Sequence, residues 1–188
     1  MPSFSRNSSR ANCARRSLAF GAGIALTVLS GSALADGPPR FVFTAYSDAA
    51  GGADVVAGRY QAALVELGHH RDIMDLDPSA ANTNRCVAYS MTLHWQQARA
   101  ACDAAVDAAT QEWSAQPGWL PPANPDSLAV AYANRAVLRW LSHDDAAARE
   151  DLAKAQRLSP RADYVALNIA ALKLHGEMAQ AVASAPKS

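Results

Sequence analysis

Two stretches of this chain repeat each other in register. Tyr132-Ala133-Asn134-Arg135-Ala136 leads through Ala148, Leu152 and Ala155 to Pro160, and 50 residues upstream Asn84-Arg85-Cys86 leads through Ala98, Cys102 and Ala105. A third copy begins at Asn168, 34 residues after Asn134. Positions 86 and 89 on one segment, and 98, 102 and 105 on the next, have helical spacing, so each set forms one face. A repeat of this length is a pair of helices too small to bury its own apolar face, and copies must therefore stack. Ala is abundant while Gly and β-branched residues are sparse after residue 58, which favours helix throughout. The expected fold class is all-α.

The first 35 residues read as a cleaved signal peptide rather than as part of the fold. Arg6, Arg10, Arg15 and Arg16 form a basic start without acidic residues, an apolar run follows from Leu18 to Leu29, and Ala33-Leu34-Ala35 offers small residues to a signal peptidase. Cleavage is expected before Asp36. A membrane anchor is the alternative, but Gly21, Gly23, Ser30, Gly31 and Ser32 interrupt the run. Arg15-Arg16-Ser17-Leu18 has twin-arginine character without the usual continuation, so ordinary secretion is the expected route to the periplasm or the exterior. After cleavage 13 basic residues face 17 acidic ones. A mildly acidic chain is a poor match for nucleic acid or an anionic membrane surface, which demand clustered cations. No membrane insertion is expected after cleavage.

Residues 36–57 read as an extended leader and a short N-terminal segment, and residues 58–188 as the repeat domain. Phe41-Val42-Phe43 is either a short strand or an apolar strap on the first helices. Gly51-Gly52 keeps any helix before Gly58 short. A helix follows from Gly58 and is stopped by Asp75-Leu76-Asp77-Pro78. The next helices are expected over Ser79–Thr92, Trp95–Trp113, from Asp126 or Ser127 as cap to Leu141, and from Asp144 to before Pro160. A final pair is expected over Ala162–Leu174 and Glu177–Ser184. Between the repeats, Pro117-Gly118 and Pro121-Pro122-Ala123-Asn124-Pro125 mark an irregular connection. Trp113, Trp119 and Leu120 there either meet a partner or fold back over an apolar seam.

These residues resemble the tetratricopeptide repeat, over roughly residues 58–184. The family's turn appears as Gly58-Arg59-Tyr60 with Ala63, as Leu93-His94-Trp95 with Ala98, and as His143-Asp144-Asp145 with Ala148. Arg85 and Arg135 stand where Leu is commoner, and the last copy fades after Asn168. The resemblance implies about two full repeats with partial ones on either side, in a short right-handed superhelix of antiparallel helical hairpins. It also implies a concave face that binds a peptide. The face would be lined by Thr83, Asn84, Val87, Ser90 and Met91, then Ala133, Asn134, Val137, Trp140 and Leu141, then Tyr164, Asn168 and Ala171. The family's clamp for an acidic C-terminus is not expected, because Tyr164 and Asn168 stand where basic residues are needed.

Two features invite specific chemistry. In a hairpin turning near residue 94, Cys86 and Cys102 lie level across the interface, eight residues to either side. In an oxidising compartment they are expected to form a disulfide, the alternative being two buried thiols in the core. Asn84, Asn134 and Asn168 would form a ladder, and a carboxamide both donates and accepts, so it can pair with peptide backbone whatever its sequence. The plainer reading is that these asparagines brace neighbouring helices.

The chain carries no sign of catalysis. His69-His70-Arg71-Asp72 is a poor metal site, since adjacent histidines on a helix diverge by about a quarter-turn. No nucleophile triad, phosphate-cradling glycine loop or paired-carboxylate motif stands out. The expectation is a non-catalytic protein-binding module without cofactor or metal, acting as adaptor or assembly factor. A structural accessory subunit docked on an envelope complex through the edge from Trp113 to Pro125 and from Phe41 to Tyr46 is the alternative, and a metal-dependent enzyme a remote one.

Overall fold

The computed structural model describes residues 39–69, 77–115 and 125–184, and among them the only regular elements are seven α-helices. They are α1 (Gly52–Val56), α2 (Tyr60–His69), α3 (Pro78–Met91), α4 (Trp95–Ser114), α5 (Asp126–Leu141), α6 (Asp145–Leu158) and α7 (Asp163–Ser184). The proposed signal peptide, His70 to Asp72, Asp75 and Leu76, and Trp119 and Leu120 lie outside the described residues.

Local chemistry sets the helix starts. Asp77 caps α3 by accepting from the Ala80 N–H at 2.9 Å, with Pro78 in the first turn where its missing N–H costs nothing. Asp144 caps α6 through the Ala147 N–H at 3.2 Å. At α5 the cap position falls on Pro125, which offers no side-chain cap, rather than on Asp126 or Ser127, and the Asp126 carboxylate accepts a hydrogen bond from the Ser159 hydroxyl.

Three turns are equivalent. Gly58, Leu93 and His143 take positive φ of 74°, 62° and 63°, each two residues before the first residue of the next helix. No such turn occurs between Asp163 and Ser184, where the two expected helices are one, α7. Gly176 stays helical, at a cost of only about 0.5–1 kcal/mol, and the Lys173–Glu177 pair at 3.9 Å lies along the same turn. His175 therefore lies in the helix interior.

Short connections make α3–α4 and α5–α6 antiparallel pairs, and these pack closely. Small residues at the seams permit it: Ala98, Ala101, Ala105 and Ala109 are buried on α4, and Ala148 and Ala155 on α6. Cys86 and Cys102 stand at disulfide-bonding distance, with S–S 2.00 Å and Cα–Cα 4.7 Å. Successive pairs meet through α3 with α5 and α4 with α5, and α7 closes against α5 and α6. The helices α3, α5 and α7 thus form a row, and Asn84, Asn134 and Asn168 sit one on each.

Candidate functional site

The row of three asparagines holds an extended segment, and that segment is the chain's own residues 41–46. The Asn168 carboxamide accepts from the Val42 N–H at 2.7 Å and donates to the Val42 carbonyl at 3.0 Å. Asn134 does the same for Thr44, at 2.9 and 2.7 Å. Asn84 does so for Tyr46, at 2.9 and 3.0 Å, and also donates to the Ala50 carbonyl at 3.0 Å. All three asparagines are 0% exposed, so each buried amide finds its partners in this segment. Two residues of extended chain, about 6.8 Å, carry the segment from one asparagine to the next.

Between strand and strap, the two open readings of this segment, the structure has the strap. It pairs with side chains rather than another strand, and it crosses α7, α5 and α3 rather than the first helices alone. Alternation places its odd residues together on one side. Phe41 lies against Trp140 at a centroid distance of 4.2 Å and stacks on His175 at 5.7 Å. Phe43 and Ala45 pack against the cluster of Val55, Ala63, Leu67, Val87 and Ala88. On the other side Tyr46 is largely enclosed. Burial first, then the charges of Tyr164, Asp77, Asp126 and Glu112, hold its phenol far above the usual tyrosine value, so the hydroxyl stays neutral.

The chain leaves the strap through a tight reversal that only glycine permits. Gly51 has φ 68°, and a Cβ on Gly52 would fall 1.7 Å from the Tyr46 carbonyl oxygen. This reversal delivers the chain into α1.

Of the residues expected on the concave face, Asn84, Asn134, Asn168, Val87 and Trp140 converge on the strap. Thr83, Ser90, Ala133, Val137 and Ala171 are buried in the same helices. Met91 and Leu141 end α3 and α5 and are 45% and 36% exposed. They lie seven residues beyond Asn84 and Asn134, two turns along the same face.

Sequence reasoning missed the contact of His175 with Phe41 and the strap's target. The signal was present in Phe41-x-Phe43-x-Ala45, an alternating pattern in a chain otherwise of helical period. It also missed Asp151, 0% exposed, on which several cations converge. Arg135 grips it bidentately at 2.8 and 3.0 Å, Arg139 reaches it at 2.9 Å, and Lys154 stands at 3.9 Å. Burial opposes the Arg135 charge, but Asp151 and then Asp103 outweigh it and raise its pKa above the ordinary arginine value. A cavity of about 180 Å³ opens beside this network, lined by Arg99, Asp103, Arg135, Arg139, Ser142 and Asp144 among others. Its guanidiniums on α5 are already paired with carboxylates, which removes the charge an anionic ligand would need.

Among the described residues no cluster of His, Cys, Asp or Glu is arranged to hold a metal, and no helix is long and apolar enough to cross a membrane. Comparison with family models, with curated proteins and with solved structures gives no match.

Proposed function

We propose that this is a non-catalytic protein–protein interaction module of tetratricopeptide type, exported to the periplasm or secreted. In this reading the stacked hairpins form a short right-handed superhelix whose concave face grips an extended segment by its backbone. The observation that carries it is the paired donation and acceptance by Asn84, Asn134 and Asn168 at every second residue of an extended chain. Such contacts recognise main chain, and neighbouring pockets add side-chain preference, the usual division in strand-type peptide recognition. Export rests on the N-terminal sequence and fits a cysteine pair at disulfide distance. Neither a cofactor nor a metal has a role in it.

A second reading draws on the filled groove. With residues 41–46 in place, a permanently docked accessory subunit would meet its complex through the outer surface, including the exposed Trp113 at the end of α4. Photo-crosslinking residues at Met91, Leu141 and Trp113, used in the native envelope, separate the two. Adducts from Met91 and Leu141 that vanish in Asn134→Ala, with unchanged melting temperature, support the groove. Adducts from Trp113 alone favour the docked subunit. A folded protein giving adducts from none of the three would defeat both readings.

A further inference from the structure

We infer that residues 41–46 are a resident pseudo-ligand of the groove, displaced by an extended segment of another protein with an aromatic–x–aromatic–x–small pattern. The inference rests on the interaction-module reading above and specifies what the groove selects.

The strap is built unlike the rest of the fold. Each of residues 41–46 is only partly buried, whereas the three asparagines beneath are fully enclosed. It belongs to no helix, and its polar contacts to the ladder are from carboxamides to backbone. Segments held this way open locally at lower free energy than packed helices do. Opening exposes the asparagines to water, which replaces their partners, so the open state leaves no buried amide stranded.

The strap also defines what can replace it. An incoming segment needs a free N–H and a carbonyl at the positions of Val42, Thr44 and Tyr46, which excludes proline from all three. It needs an aromatic ring at the Phe41 position, to pack against both Trp140 and His175, whose rings also meet each other at 4.7 Å. A second aromatic at the Phe43 position and a small residue at the Ala45 position meet the apolar cluster of α1, α2 and α3. The remaining side chains are not read by the ladder. The resident strap is tethered by residues 47–51, so it competes at high local concentration and masks the groove from weak or mismatched segments.

The probe is a fluorescein-labelled peptide of residues 39–47, titrated into the full mature chain and into its Thr44→Pro variant. Proline fits an extended backbone but removes the N–H that Asn134 accepts, weakening the resident strap and leaving the groove intact. The variant is expected to bind the peptide at least about tenfold tighter than the wild type, and a peptide with proline at the Thr44 position is expected not to bind. In the unmodified protein, hydrogen exchange at the Val42, Thr44 and Tyr46 amides is expected to be faster than in α5. Strap amides that exchange only with global unfolding overturn the proposal. So does a folded Thr44→Pro variant that binds no tighter, or one that fails to fold, since the strap is then part of the core. Light scattering that shows strap exchange building dimers would make the occupant a second copy, and overturns it too. If the strap proves fixed while Met91 and Leu141 still crosslink a partner, this inference fails and the interaction-module reading stands.

Discussion

The hairpins α3–α4 and α5–α6 share a backbone and differ in what closes them. Both turn through a residue at positive φ, Leu93 and His143, and both place an asparagine on the strap. Where the first has Cys86 and Cys102 at bonding distance, the second has Ala136 and Leu152, packed in one apolar cluster. One residue earlier on the second helix, Ala101 corresponds to Asp151. Because Asp151 is there, Arg135 turns across the hairpin to it. Arg85, its counterpart, reaches the Leu67 carbonyl at 3.0 Å and Asn82 at 2.9 Å. One pair is closed by sulfur, the other by buried charge. The same helix–turn–helix path thus accepts unrelated chemistry at its seam, and the path itself is set by the turn and the small residues beside it.

The largest consequence is expected at Asp151. Asp151→Ala leaves Arg135 with Asp103 as its remaining carboxylate and takes from Arg135, Arg139 and Lys154 the buried charge they share. Removing one partner of a buried ion pair costs about 3–5 kcal/mol, and urea unfolding should register a loss of that size. A loss under about 1 kcal/mol would mean that charge does not close this hairpin. Reduction of Cys86–Cys102 comes next, at about 3 kcal/mol for a loop of this length. The double variant Cys86→Ala with Cys102→Leu copies the second hairpin's seam into the first. It is expected to recover roughly half of the loss through added apolar burial; no recovery would show that the seams are not interchangeable. The smallest effect belongs to the shared turn. Leu93→Gly and His143→Gly each relieve a left-handed non-glycine residue and are expected to add about 0.5 kcal/mol. Thermal melts should show equal gains, and unequal ones would deny that the turns are equivalent.

Much of this was legible from residue order. The repeat and the level placement of Cys86 and Cys102 follow from helical periodicity, which is a local property, and the turns at Gly58, Leu93 and His143 from the resemblance. The end of the array was harder to read. Gly176 resembles a turn residue, but an isolated glycine inside a helix costs little, and nothing nearby compels a reversal. Asp151 was overlooked because its importance depends on Arg135, which lies 16 residues away and on the other helix of the pair.

The chain's order of residues alone determined that helices pair, where they turn, and that three asparagines share one register. Tertiary structure alone decided what those asparagines hold. Val42 and Asn168 are 126 residues apart, and a carboxamide accepts any main chain that arrives extended. No local preference therefore marks residues 41–46 as the occupant. Only the reversal at Gly51 and Gly52, the stacking of α3, α5 and α7, and the aromatic contact of Phe41 with Trp140 and His175 bring that segment to them.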